Sequence, residues 1–232
     1  DFKSNGVDNL ILDLRYNPGG SINSALILAS LITGQFENDI FNTEEWNTEI
    51  QNYWINNNPE YLVNRFLSLE SSLNLNRVFI LTTRSSASAS ELIINCLDPY
   101  IDVIQIGTTT YGKYQASVTL YDSENFSNQN INPSHNYAIQ PLVLKTLNVL
   151  GITDYFNGIN PEYDFEEKVY NMGIIGDLNE PMLNFAMGLI NSRAEINIQP
   201  ETLEFVDDNF KFDFLKREMY IENKEITIKD GN

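Results

Sequence analysis

Val7-Asp8-Asn9-Leu10-Ile11-Leu12-Asp13-Leu14 runs directly into Arg15-Tyr16-Asn17-Pro18-Gly19-Gly20. The first eight residues read as a short buried strand, and the next six as a turn rich in residues that break regular structure. Residues 21–31 then carry Ile22, Ala25, Leu26 and Ala29 at helical spacing. Strand, glycine loop and helix make the first unit of an α/β domain.

The pattern repeats further on. Residues 77–82 form a second apolar strand, and Arg84-Ser85-Ser86-Ala87-Ser88-Ala89-Ser90-Glu91 follows it. Residues 88–97 read as a helix with Ser86 or Ser88 near its start. A third strand over 102–106 leads into Gly107-Thr108-Thr109-Thr110-Tyr111-Gly112-Lys113. Residues 115–120 and 137–148 have strand character, separated by a polar loop, and 180–190 reads as a helix with Asn179 as its cap. Strands alternating with helices predict parallel pairing, with sites at the C-terminal ends of the strands. Residues 33–76, rich in Asn and Glu, read as an insertion or lid, with a possible amphipathic helix over 59–67; residues 196–232 read as an appended segment.

The Ser and Lys segments point to acyl transfer. A serine hydroxyl needs a base, and a desolvated lysine can serve as one because burial disfavours its charged form. The chain has one histidine, His135, in a turn-rich stretch, so Lys113 is the better candidate for the base of a Ser88 nucleophile. The helix start at Ser88 offers free N–H groups to an oxyanion, Ala89 N–H among them, and Gly19-Gly20 lets a second stretch of backbone come close. Tyr111, Tyr114 and Val118 could shield the lysine, and Gln115 or Ser117 could orient its amine. Taken singly, each segment has a plainer reading: a small-residue helix start, a turn with a solvated lysine, a glycine turn.

Composition narrows the classes. A net charge of −18 over 232 residues argues against a nucleic-acid binder, whose affinity comes from clustered Lys and Arg. Cys96 is the only cysteine, which leaves no disulfide framework and no cysteine-based zinc pattern. No apolar run approaches the length of a membrane span.

Together the motifs are more specific than apart. The segment from Leu10 to Gly20 resembles the Leu-Asp-Leu-Arg-x-Asn-x-Gly-Gly signature of the C-terminal processing peptidases, also called tail-specific proteases. Ser86-Ala87-Ser88-Ala89-Ser90-Glu91 is similar to their nucleophile motif, and Thr110-Tyr111-Gly112-Lys113 to their base motif, 25 residues after the serine. Asn157-Gly158-Ile159-Asn160-Pro161 and residues 176–183 resemble the closing segments, so the likeness spans residues 1–192.

The resemblance implies a ClpP/crotonase-like α/β fold and a serine endopeptidase acting near polypeptide C-termini. It implies Ser88 as nucleophile, Lys113 as general base, and the Gly20 and Ala89 N–H groups as oxyanion hole. No metal or organic cofactor is implied, and the partner is a polypeptide substrate. Many members carry Gln four residues after the lysine; Ser117 stands there and Gln115 is two residues on, so either is left as the orienting group. An Asp found after the nucleophile in some members has Asp98 as its nearest counterpart. Members usually carry a PDZ domain upstream, so the chain is expected to be an isolated catalytic core. The Tyr-Gln after Lys113 and the Asn-rich composition are similar to Bacteroidota versions, which implies a bacterial periplasmic or envelope enzyme. The rival readings are a silent ligand- or peptide-binding module on the same fold and a scaffold protein.

Overall fold

A computed structural model of the chain describes residues 1–191 and 219–221. In chain order its elements are β1 (Ile11–Asp13), α1 (Ile22–Ile32), β2 (Ile40–Trp46), α2 (Thr48–Asn57), a 3-10 turn (Pro59–Leu62), β3 (Val63–Arg65), β4 (Arg77–Thr82), α3 (Ala89–Leu97), β5 (Asp102–Gly107) and β6 (Gln115–Val118). They continue with β7 (Leu120–Tyr121), β8 (Ala138–Ile139), β9 (Leu142–Leu147), β10 (Tyr163–Asp164), a second 3-10 turn (Val169–Asn171), α4 (Pro181–Asn191) and β11 (Met219–Ile221).

One sheet is wholly parallel, in the order β1-β4-β5-β10. Its central strand β4 carries the run Val78-Phe79-Ile80-Leu81, all buried, as a strand covered on both faces must. The pleat divides that run. Val78 and Ile80 face the larger core with residues of α1 and α3, while Phe79 and Leu81 meet Met182 and Ala186 of α4. The expected strands over 77–82 and 102–106 are therefore present almost to the residue, and so is the parallel α/β class. The first strand is shorter than the sequence suggests, three residues rather than eight.

A second, mixed sheet has the order β11-β6-β9-β2-β3, and β7 pairs with β8 in a separate hairpin. Residues 33–76 supply two of its strands and put Phe41, Trp46, Trp54, Leu62, Phe66 and Leu75 into the main core. The amphipathic helix expected over 59–67 is instead a single 3-10 turn followed by β3, because β2 offers it an antiparallel edge: Asn42 pairs with Asn64 and Thr43 with Val63. Of the tail over 196–232, only β11 lies within the described residues; it pairs in parallel with β6.

All nine residues of α3 are buried. A helix buried on every side is a core helix, and burying Leu92, Ile93, Ile94 and Leu97 contributes roughly 1.5–3 kcal/mol each. The helix that begins after Ser88 is thus a rigid support. No described helix is long and apolar enough to cross a membrane.

Candidate active site

The three motif segments leave the C-terminal ends of β1, β4 and β5, which are neighbours in the parallel sheet. That adjacency brings together residues separated by almost a hundred positions. Ser86 stitches the first two segments: its hydroxyl donates to the Leu14 carbonyl at 2.6 Å and accepts from Thr83 N–H at 3.0 Å. The Thr83 hydroxyl donates to the Arg15 carbonyl. The Asn17 carbonyl accepts from Ala87 N–H at 3.1 Å and from the Ser90 hydroxyl at 3.0 Å. The Ser86 carbonyl accepts from Tyr111 N–H at 3.0 Å, which joins the third segment.

Ser86 and Ser90 are therefore committed to holding the backbone. Ser88 is not: its Oγ is fully buried and, apart from the local capping-box approach of Glu91 N–H, has no hydrogen-bond partner. Its backbone has φ 62° and ψ −115°, a conformation that costs a residue with a side chain on the order of 1–3 kcal/mol. A strained strand-to-helix turn at a serine is usually signalled by glycines two residues to either side; Ser86 and Ser90 stand at those positions here.

Gly19 packs directly on this turn. It has φ +117°, and a Cβ built on it would stand 2.5 Å from Ser88 Cβ and 3.0 Å from Ser88 Oγ. Its N–H is already donated to Asn17 Oδ1 at 2.9 Å. Gly20 differs: a Cβ there would meet nothing within 4 Å, and its carbonyl accepts from Tyr220 N–H of β11 at 3.2 Å. Gly20 N–H and Ala89 N–H, at the first position of α3, are not used as donors to any described residue outside regular elements.

The third segment reaches Ser88 through Glu91, which is fully buried. Glu91 Oε2 accepts from Ser88 N–H at 2.7 Å and from Lys113 N–H at 2.8 Å. Glu91 Oε1 accepts from the Thr110 hydroxyl at 2.6 Å and from Gly112 N–H at 2.5 Å. Burial pushes the Glu91 carboxyl above its ordinary range, and these four donors oppose that shift. Lys113 itself is half-buried, beside half-buried Tyr111 and Tyr114 and buried Val118. The segment is braced from behind, since the Thr110 hydroxyl accepts from Ile159 N–H at 2.8 Å and Thr110 N–H donates to the Ile159 carbonyl at 3.1 Å.

The remaining candidates fall elsewhere. Gln115 is exposed at the start of β6, and the buried Ser117 hydroxyl donates to the Met219 carbonyl at 3.2 Å. Asp98 is exposed at the C-terminal end of α3, the end opposite Ser88. His135 pairs with Asp122 at 3.1 Å on the exposed loop. Cys96 is a buried core thiol whose pKa is pushed up by that burial. The cap of α4 is Glu180 rather than Asn179: its carboxylate accepts from Met182 and Leu183 N–H at 3.1 and 2.9 Å, while Asn179 donates to Asp177.

Glu180 also does something the sequence did not reveal. Arg15 is 1% exposed and sits among Asp13 at 2.7 Å, Glu167 at 3.1 Å and Glu180 at 3.0 Å. The base of the glycine loop is thereby tied to α4. Glu91 was equally hidden, although a Glu three residues after a Ser at a helix start is the capping-box spacing and would have pointed to it. A cavity of about 200 Å³ beside Glu167 and Glu180 includes none of the residues of the three motif segments.

The family model for peptidase family S41 matches residues 1–132. Among solved structures, a protein of Bacteroides fragilis NCTC 9343 classed with the S41 proteases superposes with a TM-score of 0.66 at 28% identity, over 82% of this chain and 46% of its own. A protein of Parabacteroides merdae ATCC 43184 classed as a peptidase superposes with a TM-score of 0.52 at 19% identity, over 83% of this chain and 55% of its own, which speaks for the fold alone. This chain thus spans about half the length of these two relatives (46% and 55%). No curated protein matches the sequence.

Proposed function

The chain belongs to peptidase family S41, and from that premise we propose that it is the catalytic core of a serine endopeptidase that uses a Ser88/Lys113 dyad. The observation that carries the reading is the Ser88 hydroxyl, buried at a strained helix start and bonded to no other segment, while its neighbours Ser86 and Ser90 are both bonded across to the first segment. A buried hydroxyl with no partner beyond its own turn is costly, and a reaction that needs it unencumbered accounts for its retention.

In this mechanism the Lys113 amine takes the Ser88 proton as Oγ bonds to the scissile carbonyl carbon. The carbonyl electrons move to oxygen, and the oxyanion is received by Gly20 and Ala89 N–H. Loss of one such donor typically costs roughly 100- to 1,000-fold. The tetrahedral intermediate collapses, the C–N bond breaks, and the lysine ammonium delivers its proton to the leaving amine. A water, deprotonated by the same lysine, then hydrolyses the ester, and the proton returns to Ser88. Gln115 is the candidate for orienting the amine by sequence position, and its exposure favours Ser117 over it. Cleavage near polypeptide C-termini and residence in a bacterial envelope are parts of this proposal that rest on motif resemblance.

The test is cleavage of fluorescein-labelled casein by the chain and by Ser88→Ala and Lys113→Ala. Loss of activity in both variants with unchanged circular dichroism supports the dyad. Undiminished cleavage by Ser88→Ala sinks it. A folded wild-type chain that binds peptide but never cleaves it would favour the silent binding module.

A further inference from the structure

We propose that Glu91 is a positioning residue for the Ser88/Lys113 pair: its single oxygen Oε2 clasps the backbone N–H of both and so fixes one against the other. The inference rests on the dyad reading and adds a residue to it.

A simpler role is easy to state. Glu91 stands three residues after Ser88, and its bond to Ser88 N–H is half of a capping box. Capping alone needs only that bond, and a cap carboxylate can stay in water. Glu91 is instead 0% exposed, and three of its four donors come from residues 110–113, about twenty positions downstream. An ionised carboxylate in that position is tolerated only because charge-assisted hydrogen bonds replace its water. The donor set is complete only when the nucleophile turn and the lysine segment are both in place.

The geometry at Ser88 shows what the clasp holds. At φ 62° and ψ −115°, Ser88 is in a conformation that its side chain disfavours. Its N–H bond to Oε2 at 2.7 Å opposes relaxation of that peptide plane. It also removes Ser88 N–H from the donors facing the substrate, so the next N–H, that of Ala89, is left for the oxyanion. On the other side, Oε1 and Oε2 bond the Gly112 and Lys113 N–H groups in succession, which sets the direction in which the Lys113 side chain leaves the backbone. Ser88 and Lys113 come from different strands, and Glu91 is the side chain that bonds the backbones of both.

Replacing the carboxylate by an amide of the same shape exposes the role. Gln accepts at one position only; its NH₂ must then face N–H donors on the other side, so one pair of bonds is lost and a repulsive contact replaces it. A displacement of about 1 Å between reacting groups costs on the order of 100-fold in rate.

The experiment compares the 232-residue chain with Glu91→Gln and Glu91→Asp, the latter keeping the charge with a shorter reach. Two readouts are used: the rate at which a fluorophosphonate probe labels Ser88, and kcat and KM on labelled casein. The expected result is a wild-type chain that labels, a Glu91→Gln chain with native circular dichroism that labels about 100-fold more slowly, and a kcat reduced in parallel with KM held within about threefold. A folded Glu91→Gln chain labelled at the wild-type rate overturns the clasp and leaves the dyad standing. A wild-type chain that neither labels nor cleaves overturns both. If Glu91→Gln does not fold, Glu91→Asp decides: slow labelling with KM retained supports the clasp, and wild-type labelling removes it.

Discussion

Gly19 and Ser88 touch so closely that no side chain fits between them: a methyl group at Gly19 would lie 2.5 Å from the Ser88 Cβ. Contacts of that length between carbons do not occur without displacement. The glycine signature at the end of β1 is therefore a condition on the packing of the Ser88 turn.

Gly19→Ala is expected to destabilise the chain by roughly 2–5 kcal/mol, from overpacking together with the strain of a side chain at φ +117°. Gly20→Ala meets no neighbour within 4 Å and carries only the backbone term, about 1–3 kcal/mol. Urea denaturation of the two variants measures the difference. Equal losses at both positions would contradict the packing account.

Ser88→Gly removes both the strained side chain and the buried hydroxyl that no other segment bonds. Against the extra freedom of the unfolded chain, a net gain of about 1 kcal/mol is expected relative to Ser88→Ala, which keeps the strained Cβ. In a chain of this size that corresponds to a rise of about 2–4 °C in Tm. A Ser88→Gly chain that melts below Ser88→Ala would show that the turn is not strained.

Arg15→Lys is expected to cost about 2 kcal/mol or more, despite conserving charge. The guanidinium holds Asp13 through Nε and Nη2 and both Glu167 and Glu180 through Nη1, and an ammonium cannot reproduce that fork. Loss of the tie to Glu180 should also loosen the cap of α4, which hydrogen exchange of the Met182 and Leu183 amides would report. Protection unchanged from wild type would show that the cap does not depend on the pair.

Stability should carry a signature of Glu91. Its folded-state pKa is raised from 4.5 by burial, so between 4.5 and that raised value the folded chain holds more proton than the unfolded one. Stability from this group is fully present below 4.5 and declines as pH rises through the folded value. The margin of wild type over Glu91→Gln should shrink across that window and then level off, as measured by urea midpoints at a series of pH values. A margin that grows with pH would mean that the four donors outweigh burial.

The parallel sheet was legible because β4 is buried on both faces and appears as an uninterrupted apolar run, with β5 a second largely apolar run broken only by Gln105. The motif segments were legible because each follows such a run. The second sheet was legible only in β6 and β9, where strand character was expected; β2 and β3 were not, for a physical reason seen in β2. Asn42 and Glu44 are buried there, and Glu44 accepts from Trp46 Nε1 and Asn64 Nδ2, both at 2.9 Å. Buried polar residues at inward positions erase the alternation that marks a strand. The same holds at the site. Ser88 and Lys113 could be singled out by residue type, but Glu91 and Arg15 draw their roles from partners that only the folded chain supplies. The α4 cap shows a finer limit, since Asn179 and Glu180 are adjacent and only geometry selects the second.

β11 places one further requirement on the chain. Tyr220 N–H bonds the Gly20 carbonyl, and Tyr220 pairs with Ser117, so a strand made late in synthesis braces segments made early. At about 5–20 residues per second, the ribosome needs on the order of ten seconds to pass from the β6 region to this strand. During that interval the loop that presents Gly20 lacks its backbone partner. The geometry at the end of β1 is thus completed only after β11 has been made, which places the last brace of the glycine loop late in the life of the nascent chain.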